Sequence, residues 1–431
     1  MTWRVSGLEA SLASLGLALA LALAAARADA ADLALVGGSV VTVSGAVIPG
    51  GTVLVRGDRI LAVGRDLPIP SGSEVVRCEG KWITPGLVEA STQLGAVEIL
   101  AIPETVDVAV NRADPIRAAV RMADAINLRS VLIDVARRQG VTSVVTAPGG
   151  GLISGQSAWL DLLPAASPSA KTAVISPLAM HATLGEAGAM AIGASRPLAL
   201  SHLREAFEDA RLFLRDRAAY DRNALRQLIT SRLDLAALAP VLARRMPMVI
   251  DVHRADDIQR ALSLAREERI DVVLHGAEEA WLVAGEIAAA KVPVILNPLS
   301  NLPARFEMRE ARPDNAALLA KAGVRIALTT DSSHNAGSLR FELGNAVRAG
   351  LDRDLALAAA TLNPAEIFGQ GARYGAVAPG RIANLVVWTG DPFEPSSFAE
   401  VVIIRGARQP LESRQTRLRE RYKARLGLGV H

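Results

Sequence analysis

The sequence is poor in the residues that build covalent or metal-centred frameworks. Its 431 residues include one cysteine, Cys78, and six histidines. A single cysteine excludes an intrachain disulfide framework, a Cys-based zinc site and an iron–sulfur cluster. Aromatic residues make up 3% of the chain and the formal net charge is +3. Near-balanced charge with so few aromatic side chains argues against a nucleic-acid partner.

The chain nevertheless has ample material for a packed core. Hydrophobic residues make up 50% and charged residues 21% of the sequence, which excludes a disordered protein. An apolar run over residues 12–26 follows Arg4 and ends before Ala28-Asp29-Ala30. This pattern predicts a signal peptide over residues 1–30 and a periplasmic or secreted protein that has no membrane attachment after cleavage.

The pattern of hydrophobic residues in the remaining sequence changes twice, from short strands to alternating strands and helices and back to short strands. Short strands separated by turn residues are predicted at 33–36, 39–43, 52–56, 59–63 and 74–78. Buried strands follow at 141–146, 172–176, 248–252, 271–274, 292–296 and 324–329. Helical patterns lie between them at 117–139, 198–218, 256–268 and 277–290. Short strands return at 383–388 and 400–405. Repeated βα units of this kind are typical of a barrel or of a doubly wound sheet.

Three separated motifs carry a family resemblance. They are GKWITPGLVEA at 80–90, TLNPA at 361–365 and ANLVV at 383–387. Together they resemble the amidohydrolase superfamily, in its imidazolonepropionase-like branch, although Asn384 stands where that family usually has Asp. The resemblance implies an α/β fold with a (β/α)8 TIM barrel over residues 85–373. It also implies a small composite β-sandwich domain built from both chain ends, residues 31–84 and 374–410, followed by a basic helical tail at 411–431.

The resemblance also implies a metal centre. His253, His275 and Asp331 follow predicted strands 5, 6 and 8, where the family carries metal ligands and a general base. We therefore expect one divalent metal, zinc by ligand chemistry, at His253 and His275, with Asp331 as the catalytic base. Either Glu186 or His181 is the candidate for the third metal ligand.

The sequence departs from the family at strand 1. Ser91-Thr92-Gln93 stands where the family has a His pair, and hydroxyl and amide oxygens are poor replacements for imidazole. No lysine lies between Lys171 and Lys291 to bridge a second metal, and residues 190–247 show no clear strand 4. These departures predict at most one metal per chain.

A glycine-rich loop follows predicted strand 2 at residues 148–156. Glycine permits close backbone approach to a ligand, so this loop is expected at the mouth of the barrel. The predicted substrate pocket consists of Gly150, Gly151 and Gln156 from this loop, together with Ser91, Gln93 and His334.

Two functions remain open at this point. The first is a hydrolase that acts on non-peptide C–N bonds, in an amide or cyclic amide. The second is a catalytically inactive, metal-free protein of the same fold that binds a small molecule or a partner subunit. The sequence does not choose between a homo-oligomer and pairing with a related subunit, and it does not identify the substrate.

Overall fold

The computed structural model describes residues 33–108, 114–170, 173–193 and 195–426. The predicted signal peptide, residues 1–30, lies outside the described residues, so export and a periplasmic or secreted location stay predictions. In the described part of the chain, no helix is long and apolar enough to cross a membrane.

Strands and helices alternate through the middle of the chain, and strands dominate both ends. The strands are β1 (Leu33–Val40), β2 (Ile48–Arg56), β3 (Arg59–Gly64), β4 (Glu74–Arg77), β5 (Trp82–Pro85), β6 (Leu87–Thr92), β7 (Val141–Thr146), β8 (Ile153–Gln156), β9 (Ala158–Asp161), β10 (Val174–Ile175), β11 (Met180–Thr183), β12 (Met248–Val252), β13 (Val272–Gly276), β14 (Val294–Leu296), β15 (Ile326–Leu328), β16 (Leu385–Trp388), β17 (Ala399–Ile404) and β18 (Ala407–Arg408). The helices are α1 (Val131–Arg138), α2 (Gly185–Ala191), α3 (Arg196–Arg215), α4 (Arg217–Asp221), α5 (Arg232–Ala237), α6 (Ala239–Leu242), α7 (Ala255–Glu268), α8 (Ala284–Ala290), α9 (Asn315–Lys321), α10 (Leu339–Arg348), α11 (Arg353–Ala359), α12 (Leu362–Ile367) and α13 (Arg414–Arg425).

The two ends of the chain meet in one eight-stranded sheet. Its order is β18-β17-β16-β5-β1-β2-β3, with β4 paired to β1. The junction is β5, where Ile83 pairs with Val40 on one side and with Val387 on the other. All three side chains are fully buried, so the apolar face of this sheet is completed only when both chain ends are present. The boundaries of the predicted composite domain, and its form as a sandwich, stay predictions.

A six-stranded sheet holds most of the middle of the chain. Its order is β15-β14-β13-β12-β11-β8, and β11 to β15 run parallel to one another. The near-continuous apolar runs of β12 to β15 suit strands covered on both faces. Strand β11 at Met180–Thr183 takes the place next to β12, and residues 190–247 are mostly helical.

An antiparallel segment connects this sheet to a four-stranded sheet of order β10-β9-β7-β6. Within residues 153–161, β8 pairs antiparallel with β11, and β9 pairs antiparallel with β7. The prediction of a buried parallel strand at 172–176 was wrong, because only β10 forms there and it pairs antiparallel with β9.

The helix predicted at 117–139 is also much shorter in the structure. Residues 117–130 contain one 3-10 turn, Met122–Asp124, and the α-helix begins only at Val131. The Ser130 hydroxyl accepts a hydrogen bond from the backbone N–H of Leu132 at 3.3 Å. This N-cap fixes the start of α1, whose buried face includes Leu132 and Ile133.

Side-chain hydrogen bonds join the C-terminal end of β6 to that of β15. Thr329 donates through its hydroxyl to the Ser91 carbonyl at 2.8 Å, and Thr92 donates to the Ser332 carbonyl at 3.0 Å. The first and last strands of the central region therefore end side by side. This mixed α/β architecture brings the carboxyl ends of its parallel strands to a common site, and closure into a full (β/α)8 barrel stays a prediction.

Candidate active site

The carboxyl ends of the parallel strands surround a cavity of about 460 Å³. In (β/α) folds ligands bind at this end of the strands. Side chains from several of these strands and from the loops that follow them line it: Ser91, Gln93, Pro148, Gly149, Gly150, His181, Asp251, His253, His275, Glu278, Ser300, Arg305 and Asp331. The cavity is therefore the candidate active site.

His253 follows β12 and is almost completely buried. Its Nδ1 donates to Glu278 Oε2 at 2.6 Å, and Glu278 Oε1 in turn accepts from the Ser300 hydroxyl at 2.8 Å. Burial lowers the pKa of His253, but the carboxylates of Asp251 and Glu278 outweigh burial and raise that pKa to about 10. Arg305 Nη2 lies 3.2 Å from His253 Nε2, so two cationic groups meet at this nitrogen.

His275, at the end of β13, bridges two carboxylates. Its Nδ1 donates to Asp251 Oδ1 at 2.9 Å and its Nε2 donates to Asp331 Oδ1 at 2.8 Å. Burial lowers the pKa of His275, but the charges and hydrogen bonds of Asp331 and Asp251 raise it well above its usual value. Burial by itself raises the pKa of Asp251, whereas hydrogen bonds from His253 and His275 hold it far below its usual range. Both ring nitrogens of His275 are thus committed to carboxylates.

Asp331 owes its position to the turn that follows β15. Its φ of 53° is in the left-handed region, and its backbone N–H donates to the Thr329 hydroxyl at 3.1 Å. A buried carboxylate, Glu89 on β6, holds the preceding residues: it accepts from the Thr330 N–H at 3.1 Å, from the Thr330 hydroxyl at 2.9 Å and from the Thr329 hydroxyl. Burial raises the pKa of Glu89 to about 8.

Glu89 has no role in the predictions from sequence. Its position inside the otherwise apolar strand residues Leu87 to Ala90 is the feature of the sequence that could have indicated a role. A carboxylate in such a position needs hydrogen-bond donors from a neighbouring strand, and those donors come from the end of β15.

Two buried polar atoms at the site have no hydrogen-bond partner among the described residues. One is Nε2 of His181 on β11, whose pKa is lowered to about 3 by burial and by the charge of His275, so this ring is neutral. The other is Oε1 of the fully buried Glu307. Its Oε2 accepts from the Glu186 N–H at 2.8 Å and from Arg196 Nη2 at 3.5 Å. Unpartnered buried polar atoms are costly, so these two atoms retain the capacity to bond to a ligand or to an ordered water.

The glycine-rich loop lies at the cavity, as the sequence predicted. Pro148, Gly149 and Gly150 belong to the lining. A methyl group on Gly149 would come within 3.0 Å of the Gln93 amide nitrogen, so the backbone approaches that side chain closely. Gly150 has a φ of 80°, which few other residues adopt.

Four of the predicted site residues lie outside the cavity lining. Gln156 Nε2 donates to the Ala118 carbonyl at 2.7 Å inside the β8 wall, and Gly151 is not part of the lining although Gly150 and Ser154 on either side of it are. His334 Nε2 is bonded to the Glu98 carbonyl at 2.9 Å. Glu186 is exposed on the first turn of α2 and reaches the site only through its backbone N–H. Ser91, Gln93, His181, His253, His275 and Asp331 all line the cavity.

One histidine at the site has the hydrogen-bonding arrangement of a metal-binding imidazole. As they stand, no three His, Cys, Asp or Glu side chains of the described residues are arranged to hold a metal ion. His253 nevertheless has Nδ1 anchored by a carboxylate, the usual arrangement of a metal-binding imidazole, which leaves Nε2 for the ion. Glu307 Oε1, which has no hydrogen-bond partner among the described residues, lies 3.9 Å from His253 Nε2 and 3.8 Å from Arg305 Nη1.

Comparisons with known proteins indicate one family. Residues 284–410 match the model of the amidohydrolase family. An imidazolonepropionase from Acidiphilium cryptum (strain JF-5) is 26% identical over 387 residues, which cover 81% of this chain and 89% of the relative.

Two solved structures are similar over most of the chain. An amidohydrolase from Thermotoga maritima MSB8 has a TM-score of 0.79 at 26% identity and covers 87% of this chain and 99% of its own. An adenosine deaminase from Xanthomonas campestris with bound zinc has a TM-score of 0.53 at 16% identity and covers 92% and 98%, which shows a shared fold alone.

Proposed function

Because the chain belongs to the amidohydrolase superfamily, on its imidazolonepropionase-like branch, we propose that it hydrolyses a non-peptide C–N bond of an amide or cyclic amide. The observation that carries this proposal is the chain of hydrogen bonds Asp251–His275–Asp331 at the cavity. It supplies a base that faces the cavity and an imidazole that can hold or return a proton. Ser91 and Gln93 add neutral polar contacts where the family has its His pair.

Members of this superfamily typically use a divalent metal, and we propose that one such ion, zinc by ligand chemistry, is held with His253 as a ligand. When bound, it lowers the pKa of water and polarises the substrate carbonyl. Glu278 fixes the orientation of His253 through Nδ1. His275, a predicted ligand, is assigned to proton transfer because its two nitrogens are bonded to Asp251 and Asp331.

The proton path runs through Asp331. Its carboxylate takes a proton from the attacking water. Before that step, the Nε2–H of His275 stabilises the negative charge of the Asp331 carboxylate by a hydrogen bond of 2.8 Å to Oδ1. When the C–N bond breaks, the same proton passes to the leaving nitrogen. Asp251 keeps the His275 ring oriented from the other side, and Glu89 keeps Asp331 in place by holding Thr329 and Thr330.

Hydrolysis and metal content test the proposal together. The purified mature protein, loaded with zinc, manganese or iron, is assayed against a panel of cyclic amides and N-acyl compounds, and its metal is measured by elemental analysis. We expect one equivalent of metal and turnover of at least one compound class. Absence of both from all loaded samples would move the protein to the non-catalytic function, a barrel that binds a small molecule or a related subunit.

Location is tested separately. We propose export through the predicted signal peptide, so that hydrolysis takes place in the periplasm or outside the cell. N-terminal sequencing of the protein recovered from the producing cells should begin near residue 31, and a sequence that still begins near Met1 would contradict export.

A further inference from the structure

Glu89 on β6 is a buried carboxyl group beside the turn after β15 that carries Asp331. Its side chain is 0% exposed. The groups that it bonds are all neutral: the Thr329 hydroxyl, the Thr330 hydroxyl at 2.9 Å, the Thr330 N–H at 3.1 Å and the Ser91 N–H at 3.5 Å. A carboxylate buried among neutral groups is costly, so the protonated form of Glu89 is favoured.

The hydroxyl of Thr329 has one hydrogen and two acceptors. It lies 2.8 Å from the Ser91 carbonyl and in hydrogen-bonding contact with Glu89 Oε1, and it accepts from the Asp331 N–H at 3.1 Å. When Glu89 is ionised, it and the Ser91 carbonyl compete for the same hydrogen. When Glu89 is protonated, it donates to Thr329 and Thr329 donates to Ser91, so that every contact has its own hydrogen. The protonated arrangement therefore satisfies the whole group.

We propose that Glu89 is a positioning residue for the base: it carries a proton and donates it to Thr329, whose own hydrogen then bonds β6 to the turn of Asp331. When Glu89 ionises, its carboxylate takes the Thr329 hydrogen from the neutral Ser91 carbonyl, because charge-assisted hydrogen bonds are the stronger ones. This bond between β6 and the turn is then lost, and a second negative charge lies beside Asp331. The inference rests on the proposed function, for which it names the group that sets the upper pH limit of turnover.

The charges around Glu89 determine the pH at which it ionises. Burial raises its pKa to about 8, the hydrogen bonds from Thr329 and Thr330 lower that pKa, and the negative charge of Asp331 raises it. His275 lies beyond Asp331, to whose Oδ1 its Nε2 donates at 2.8 Å. The strands next to β6, which are β7 and β15, have no titratable side chain. Glu89 therefore keeps its proton at neutral pH and releases it under mildly alkaline conditions.

Helices α10 and α12 also contact β6, and α10 supplies a matched control. Glu342 on α10 is 6% exposed, and burial alone raises its pKa to about 7. Its Oε2 has no hydrogen-bond partner among the described residues. Glu342 thus matches Glu89 in burial and in the direction of its pKa shift, but it takes no part in the hydrogen bonds of the turn. The other charged side chains of these helices are exposed or have partners elsewhere: Arg340, Arg348 and Glu366.

The pH dependence of kcat/KM, measured on any compound of the panel that is hydrolysed, tests this role. At pH 9.5 only about 3% of a group with a pKa near 8 is still protonated, so wild-type kcat/KM should fall roughly tenfold or more between pH 7 and pH 9.5. In Glu89→Gln the amide nitrogen donates to Thr329 at every pH, so this variant should stay within roughly threefold over the same range. Glu342→Gln should follow the wild type. An equal fall in Glu89→Gln and the wild type, or no fall in the wild type, would overturn the inference.

The Thr329 hydroxyl has its own test. Thr329→Val removes the group that joins Glu89 to the turn, so kcat at pH 7 should fall and the alkaline fall should disappear. Thr329→Ser keeps the hydroxyl and should restore both properties. A Thr329→Val profile with the same alkaline fall as the wild type would overturn the link through Thr329.

The proton on Glu89 can be measured without turnover. Infrared spectra of the wild type should contain the carbonyl band of a protonated carboxyl group that is lost as the pH rises through about 8, and Glu89→Gln should lack this band. Identical spectra for the two proteins would show an ionised Glu89 and refute the inference, while leaving the proposed hydrolysis intact. The expected band without turnover of any compound would refute the proposed hydrolysis and leave the protonated Glu89 in place.

Discussion

The chain buries charge at both ends of its central strands, and the two ends treat it differently. At the end opposite the cavity, Asp161 closes β9 and accepts from the Ser143 hydroxyl at 2.7 Å and from Asn384 Nδ2 at 3.2 Å. Its second oxygen accepts from the Tyr374 hydroxyl at 3.0 Å and from Arg405 Nη1 at 3.1 Å. We refer to these five residues as the Asp161 network. None of them has an unpartnered buried polar atom among the described residues.

At the cavity the polar groups are left incomplete. Among the described residues, His181 Nε2 and Glu307 Oε1 have no hydrogen-bond partner, and Arg305 Nη2 lies 3.2 Å from the imidazole of His253. Buried charged groups with a structural role can therefore be distinguished from those at a binding site by whether all their hydrogen bonds are made within the protein. The complete Asp161 network fastens the terminal sheet to β9, whereas the incomplete groups at the cavity retain bonding capacity for a ligand.

Asn384 illustrates the complete kind. The family resemblance implies an Asp at this position, but here the side-chain amide donates to Asp161 while its oxygen accepts from the Arg405 N–H at 2.8 Å. A carboxylate could not donate to Asp161, so the substitution of Asn for Asp is matched to the carboxylate on β9.

The largest effect that separates the two ends should come from Asp331→Asn. Loss of a general base lowers turnover by roughly 10²- to 10⁴-fold. Because Asp331 is not one of the proposed ligands, zinc affinity should stay within threefold of the wild type. Steady-state kinetics and calorimetry measure the two quantities, and the exposed Asp354→Asn is the control. Turnover that is unchanged in Asp331→Asn would remove this residue from the mechanism.

Asp161→Ala should lower the stability of the protein and leave the cavity unchanged. It leaves Arg405, Tyr374 and Asn384 without their shared acceptor, so we expect the free energy of unfolding to fall by about 3 kcal/mol. Zinc affinity should not change. Urea unfolding measures the loss, and Asp271→Ala, which breaks an exposed pair with Arg244, should cost at most about 1 kcal/mol. Equal losses in the two variants would show that burial of the network contributes nothing.

The pH dependence of stability should expose Glu89. Its pKa is raised from 4.5 to about 8 by burial. The folded state therefore binds a proton that the unfolded state has released, and the associated stability is present below pH 4.5 and lost as the pH rises through 8. Relative to Glu89→Gln, the wild type should lose about 2 kcal/mol or more between pH 5 and pH 8.5. Parallel urea-unfolding profiles for the two proteins would contradict a protonated Glu89.

The smallest expected effect is an increase in the free energy of unfolding. His181→Leu removes an imidazole whose buried Nε2 has no hydrogen-bond partner among the described residues, so the free energy of unfolding of the metal-free protein should rise by about 1 kcal/mol. The partly exposed His202 on α3 provides the control, His202→Leu, which should leave stability within about 0.5 kcal/mol of the wild type. A clear loss of stability in His181→Leu would mean that the ring is held by contacts other than hydrogen bonds.

The sequence predicted the parts of this molecule that local patterns encode. Strands β12 and β13 were found because apolar residues run into His253 and His275, and the motif at 80–90 indicated the entry strand. Glu307 and Arg305 could not be found in this way, since they lie in and beside a short 3-10 turn, Phe306–Met308, with no periodic pattern. The burial of Glu307 depends on the backbone of Glu186, which is distant in the chain.

Strand direction was a second limit. The apolar character of residues 153–161 does not reveal that they run against their neighbours, because direction is set by pairing with β7 and β11 and not by composition. The two-residue β10 and the short β11 were likewise too brief to be separated from loops by hydrophobic periodicity.

The antiparallel segment at residues 153–161 also determines how the two sheets can separate. Its second half, Ala158–Asp161, is bonded to the four-stranded sheet, while its first half, Ile153–Gln156, is bonded to the six-stranded sheet. Any local opening that parts the two sheets must break one of these two sets of amide bonds. The loop that holds Gly149 and Gly150 is anchored between β7 and this segment, so it must follow whichever half remains bonded. Hydrogen–deuterium exchange of the two halves would therefore reveal which sheet carries that wall of the cavity as it opens.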